Sequence, residues 1–249
     1  LMAIFMSWTI GGAIVSFILS VIAIVANFVD MGTFGDFMIN YSYIFHFVTA
    51  LGMVTLFMFV DFNTISPGAN DNLTGTYAAV CALRMLDMAG VDFENTEVCA
   101  MITDGEEAGL RGCKSWAKNH YDEYVNSGVE TVVLCVDTLT DREYLRVYNK
   151  DMTGTVKNNQ QFSQLVMDAS KDAGHDDIEL SSVFFGSSDA AAFSQAGITA
   201  TCLAAMDPRP ADYYHNRRDT ADRLVPETIK TGFDVIISTI LNFDEKGLN

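Results

Sequence analysis

The first sixty residues constrain this chain most. Residues 1–29 contain no charged side chain, and no Lys or Arg occurs before Arg84. A helix rising about 1.5 Å per residue over such a run is long enough to cross a hydrocarbon core of about 30 Å. A secretory leader is the rival, but it calls for a basic start and a shorter apolar centre. Asp30 to Tyr43 forms a short polar connection carrying Asp30 and Asp36. Residues 44–60 are a second uncharged apolar run, with Tyr41 and Tyr43 at its entrance, as an interfacial belt would have. The expectation is a two-helix transmembrane hairpin over residues 1–62. With no basic residue beside either run, the charge-bias rule for orientation has nothing to count.

The remainder, residues 63–249, reads as alternating helix and strand. Helices are expected over 76–88, 107–124, 160–173, 188–195 and 226–242. In the third, Phe162, Leu165, Val166 and Ala169 recur at i, i+3, i+4 and i+7. Pro226 suits the first turn of the last helix, and Ser188 or Asp189 suits an N-cap. Apolar strands are expected over 97–103, 130–136 and 198–205, with a further strand over 143–148. Continuous rather than alternating apolar strands, separated by helices, imply a mostly parallel, mixed central sheet flanked by helices on both faces. The fold class is therefore α/β, preceded by the transmembrane hairpin.

Charge and cysteines exclude several functions. The 249 residues carry a net charge of −17, which repels nucleic-acid phosphates and argues against nucleic-acid binding. The five cysteines (Cys81, Cys99, Cys113, Cys135 and Cys202) show no C-x-x-C spacing, so a cysteine zinc site or redox pair is not expected. Cys99, Cys135 and Cys202 lie in apolar runs and read as buried thiols of a reducing compartment, which favours the cytoplasmic side. No G-x-S-x-G supports a serine hydrolase, and no G-x-x-x-x-G-K supports a nucleotide site.

The chemistry-bearing residues converge. In open α/β sheets, ligands bind outside the carboxyl ends of the strands. Glu106 and Glu107 follow the strand expected to end at Thr103, Asp137 follows Val136, and His215 lies in the polar loop 207–222 after the strand ending near Ala205. Asp71 sits in Pro67-Gly68-Ala69-Asn70-Asp71-Asn72-Leu73-Thr74-Gly75, just before a helix. Taken alone, that stretch is a surface turn, and Glu106-Glu107 is a solvated helix N-terminus. Together they make carboxylates and an imidazole, a set suited to zinc-like metals. Adjacent glutamates also allow one to bind metal while the other moves a proton.

Five stretches carry a resemblance: the 67–75 segment, Asp104–Gly112 (DGEEAGLRG), Val136–Thr138 (VDT), 187–198 (SSDAAAFSQAGI) and Tyr214–Thr220 (YHNRRDT). In order and spacing, over about residues 65–245, they resemble the co-catalytic di-zinc aminopeptidase family, which also holds aminopeptidase Y, glutamate carboxypeptidase and glutaminyl cyclase. The resemblance implies a zinc-dependent exopeptidase acting on peptides. It implies that Asp71 bridges two zinc ions, Glu107 and His215 complete one, Asp137 binds the other, Glu106 is the general base and Tyr214 an oxyanion donor. It further implies a cis peptide bond after Asp71.

One motif departs from that pattern. The family carries a His-x-Asp upstream of the bridging aspartate, and the matching place here reads Phe59-Val60-Asp61. His46 is the only upstream histidine and lies deep in the second apolar run, while His120 and His175 read as surface residues. The expectation is that the hairpin is inserted after the His-x-Asp strand, so that residues 63–249 are incomplete on their N-terminal side and one zinc ligand is missing. Ten residues separate Val60 from Asp71, at most about 35 Å of extended chain, which puts the site close to the membrane surface. The readings left open are a membrane-anchored aminopeptidase, a carboxypeptidase or aminoacyl cyclase on the same fold, and a non-catalytic membrane receptor or scaffold.

Overall fold

A computed structural model describes residues 2–57, 63–184, 186–209 and 211–248, and the chain divides into two compact units, Leu1–Ile65 and Ser66–Asn249.

The first unit is a pair of long helices, α1 (Met2–Phe28) and α2 (Thr33–Phe57), joined by a tight turn in which Asp30 and Gly32 adopt positive φ. Among the described residues no helix is long and apolar enough to cross a membrane, which corrects the expected transmembrane hairpin. In α2 the apolar run is interrupted by Asp36, Asn40, His46 and Thr49. The pair is held in part by a polar seam. His46 Nδ1 lies 2.8 Å from Ser16 Oγ and its Nε2 lies 2.8 Å from Ser20 Oγ, so both ring nitrogens are engaged inside the hairpin. Thr49 donates to the Phe45 carbonyl at 3.0 Å. Phe59 and its neighbours, at the place of the expected histidine motif, lie outside the described residues.

The second unit is α/β. Its elements are α3 (Thr74–Met88), α4 (Arg111–Tyr124), β1 (Val132–Asp137), β2 (Leu145–Asp151), β3 (Val156–Lys157), α5 (Gln160–Asp172), β4 (Glu179–Ser182), α6 (Asp189–Gln195), β5 (Thr199–Ala205) and α7 (Pro226–Lys246). Local chemistry sets several ends. Asn159 caps α5 by accepting from the Phe162 amide at 2.9 Å, Ser188 caps α6, and Pro226 opens α7. Strand β5 is buried on both faces. Leu203 and Ala205 pack with Leu139, Phe162, Val166 and Val235, where α3, α5 and α7 lie. Ala200, Cys202 and Ala204 pack on the other side with Cys113, Ala117 and Phe193 of α4 and α6.

The sheet is mixed. β1 pairs parallel to β5 and β2 pairs parallel to β4, but β2 runs antiparallel to both β5 and β3. The balance is less parallel than the apolar runs suggested. Residues 138–144 connect β1 to β2 with only a short 3₁₀ turn, too little chain for the crossover that a parallel return needs. The short β3 and β4 carry no apolar run that would have announced them.

Segment 97–103 does not form the expected strand. Its apolar residues run beside β1 across a groove of about 800 Å³ lined by consecutive residues 95–103 on one side and 129–137 on the other. β1 has β5 as its ladder partner, and all six of its residues are only half-buried despite the sequence VVLCVD. With the groove between them, neither edge supplies the other with hydrogen bonds. Cys99 is accordingly exposed rather than buried, whereas Cys202 and Cys113 are buried free thiols. Helix α4 begins at Arg111 instead of Glu107, because Gly105, Gly109 and Leu110 adopt positive φ and turn the chain at 106–110.

Candidate metal centre

Asp71 is placed by its neighbours' hydrogen bonds. The amides of Asn70 and Asp71 donate to the two carboxylate oxygens of Asp219 at 2.8 and 3.0 Å, and Asp219 is almost fully buried. Asn72 ties the same turn to the end of β1. Its Nδ2 donates to the Val136 carbonyl at 2.9 Å, and its Oδ1 accepts from the Thr138 amide at 3.2 Å and the Gly75 amide at 3.0 Å. Gly75 is required by this approach, since a Cβ there would stand 2.2 Å from the Val136 carbonyl oxygen. The Asp71–Asn72 peptide is cis, as the resemblance implies.

His215 reaches Asp71 from the loop after β5. Its φ of 56° is left-handed, and the loop is pinned by Ser66 donating to the Asn216 carbonyl at 3.0 Å and by the Ala69 amide donating to the Asp219 carbonyl at 3.2 Å. The Tyr214 ring stacks on the imidazole with centroids 3.8 Å apart. His215 Nε2 lies 3.2 Å from Asp71 Oδ2 and 2.9 Å from Glu107 Oε1. One ligand atom from each of Asp71, Glu107 and His215 falls within 4.8 Å of the others. These three come from positions far apart in sequence, and their donor set of two carboxylates and an imidazole fits a zinc ion.

Asp137 stands outside that trio but lines the same groove as Asp71, Glu106 and Glu107. Its Oδ1 is closed to solvent and has no hydrogen-bond partner among the described residues. Burial, with the charges of Asp71 and Glu106 added, raises its carboxyl well above the usual range. An orphaned buried carboxylate oxygen beside an acidic cluster is the environment of a cation. Glu106 is pushed up to about 7, first by burial and then by Glu107, Asp189 and Asp71, with His215 opposing. For His215, burial pulls the imidazole down, but the hydrogen bonds and charges of Asp71 and Glu107 prevail and raise it to about 10. Burial and then the charge of Asp71 raise the Tyr214 hydroxyl, keeping it a proton donor.

Three supports escaped the sequence reading. Asp219, in the quoted YHNRRDT stretch, anchors the Asp71 turn, and Tyr213 accepts from Asn70 Nδ2 at 3.0 Å. Asp189, read only as a cap, accepts from Thr103 at 3.0 Å and leaves its Oδ1 unpartnered, facing the groove. A single buried acid carries no hydrophobic period and so gives little signal. His120 pairs with Glu123 on the surface as expected, while His175 is half-buried and faces Asp234 at 3.6 Å.

Known proteins are similar to this chain. The model of "Peptidase family M28" matches residues 53–240. Aminopeptidase YwaD of Bacillus subtilis is 27% identical over 194 residues, covering 70% of this chain and 37% of YwaD. The solved structure of BSAP, a zinc aminopeptidase from Bacillus subtilis, superposes with a TM-score of 0.57 at 24% identity, covering 70% of this chain and 42% of BSAP. Bacteroides thetaiotaomicron glutaminyl cyclase gives a TM-score of 0.51 at 18% identity over 70% of this chain and 62% of the cyclase. The chain thus spans about two-fifths of the length of the aminopeptidases it matches. A family match over most of the chain, laid on a fold that gathers Asp71, Glu107 and His215 at one point, means that the chain belongs to peptidase family M28.

Proposed function

We propose that this chain belongs to a membrane-associated, zinc-dependent exopeptidase, in the first place an aminopeptidase that removes N-terminal residues from peptides. The observation that carries the reading is the convergence of Asp71, Glu107 and His215 with Glu106 beside them. Zinc bound there supplies a Lewis acid and brings the pKa of a water toward neutrality. The protein's own groups supply the rest. Asp71, Glu107 and His215 would hold the ion. Glu106, poised near neutral pH, takes the proton from the attacking water and delivers it to the leaving amine. Tyr214, stacked on His215, donates to the carbonyl oxygen as charge develops on it. Replacing Glu106 by Gln is expected to leave zinc binding intact and to lower turnover by about 10²–10⁴-fold. A Glu106→Gln protein that still cleaves at the parent rate sinks the assignment.

Two further points belong to this proposal. Asp137, whose buried Oδ1 meets no partner among the described residues, would hold a second ion beside the first. Its position in the same groove as Asp71, Glu106 and Glu107 supports this second site. The membrane reading is supported by the apolar surface of the hairpin. Phe17, Phe28 and Phe47 are 69, 91 and 71% exposed, among many exposed Ile and Val side chains. An exposed apolar surface of that extent calls for lipid or a partner. Recovery of the protein in the supernatant when membranes are pelleted at neutral pH would count against membrane association.

A further inference from the structure

A second cavity of about 300 Å³ opens beside the metal centre, lined by Thr138 and Tyr214, the immediate neighbours of Asp137 and His215. Its far side is formed by Arg146 and Tyr148, which share one face of β2 at i and i+2, together with Ser181 and Ser182 of β4. The volume suits one side chain of a bound peptide rather than a folded partner.

The charges lining this cavity are not equally engaged. Asp141 accepts a hydrogen bond from the Tyr213 hydroxyl. Asp207 accepts from the Arg209 backbone amide at 2.8 Å and lies 3.7 Å from the Arg209 guanidinium. Arg146 is half-buried, and its guanidinium makes one bond, from Nη1 to the Leu145 carbonyl of its own strand at 2.8 Å. Among the described residues, no carboxylate lies within ion-pair distance of it, although Arg142, Arg209, Arg218 and Arg223 all have one. In a chain of net charge −17, a half-buried guanidinium without an acid is unusual. A guanidinium has five N–H donors in a planar fork matched to a carboxylate, and here most of them remain free toward the cavity.

We propose that Arg146 determines specificity, selecting substrates whose residue at the scissile bond carries a side-chain carboxylate. This rests on the peptidase reading above. The carboxylate enters past Tyr214 and pairs with Arg146, with the serine hydroxyls of β4 alongside. Asp141 and Asp207, each held by its own partner, disfavour a second acid and leave Arg146 as the one recognition charge.

The test compares glutamyl- and leucyl-p-nitroanilide hydrolysis by the intact zinc-loaded protein and by its Arg146→Leu and Arg146→Lys variants. It is paired with calorimetric titration of free glutamate and free leucine. The parent is expected to favour the glutamyl substrate, and Arg146→Leu to lose that preference by about 10- to 100-fold while retaining leucyl hydrolysis. Arg146→Lys is expected to restore part of it. Leucyl preference in the parent, or a glutamyl preference that survives in Arg146→Leu, overturns the proposal while leaving the peptidase reading intact. Arg146-dependent glutamate binding without hydrolysis of either anilide would fail the peptidase reading and uphold the pocket. Equal binding of glutamate and leucine overturns the pocket, since leucine carries the α-carboxylate alone.

Discussion

Asp219 touches no proposed ligand atom, yet it should control the metal site. Both of its oxygens accept backbone amides of the Asp71 turn, at 2.8 Å from Asn70 and 3.0 Å from Asp71, in a position only 2% exposed. Asp219→Ala removes two charge-assisted hydrogen bonds, each contributing about 1.5–3 kcal/mol, and leaves two amides unpaired. Water reaching the vacated space will offset part of that loss, so a destabilisation of about 2–4 kcal/mol is expected. Asp219→Asn keeps one acceptor but turns an NH2 toward the other amide, so it should fall between parent and alanine. The Asp71 carboxylate then loses its fixed position opposite His215 Nε2, and zinc affinity should drop about 10- to 100-fold, as for other residues that orient ligands. Urea unfolding of the apo protein and zinc competition against a fluorescent chelator read the two effects separately. Parent-like zinc affinity in a variant destabilised by the full amount would refute the claim that Asp219 positions Asp71.

Further outcomes follow from the same geometry. Gly75→Ala places a methyl 2.2 Å from the Val136 carbonyl oxygen, a backbone atom that cannot swing aside, so it should cost about 1–3 kcal/mol or more in urea unfolding. A variant within experimental error of the parent would show that the turn and β1 separate freely. The pH dependence has a definite sign. His215, raised to about 10, stabilises the apo fold fully below the ordinary imidazole range near 6.5, and that contribution is lost as pH rises through about 10. Glu106, raised to about 7, favours the protonated fold, so ionising it between about 4.5 and 7 also lowers apo stability. Metal binding runs the other way, because His215 must release its proton to ligate. Zinc affinity should therefore rise from pH 6 to 9, with about one proton released per ion in calorimetry across buffers of different ionisation heat. Affinity independent of pH would exclude His215 as a ligand.

Periodicity made the helices legible. The i, i+3, i+4, i+7 pattern of Phe162 to Ala169 and the proline at 226 set α5 and α7 close to their observed bounds. Central strands β1 and β5 were legible as continuous apolar runs. Strand direction was not, because it depends on the length of the 138–144 connection and on which edge β2 joins, neither of which leaves a hydrophobic signature. Segment 97–103 shows the limit most clearly. Its composition is that of a strand, but a strand exists only when an edge pairs with it, and across the groove from β1 it has none. The clustering of Asp71, Glu107 and His215 was legible because each lies within a short polar motif that the sequence shows directly. Asp219 and Asp189 were not, since a residue that orients another shows itself only in three dimensions. The hairpin was read from hydropathy alone, which does not register that Ser16, Ser20, His46 and Thr49 meet along one seam.

The most direct test of the central claim is cleavage of a free-amine peptide and its N-acetylated twin by the intact protein, with zinc and with chelator. The account predicts zinc-dependent, chelator-sensitive release of the N-terminal residue from the free peptide alone. Zinc bound without cleavage of either peptide, or equal cleavage of both, would contradict it.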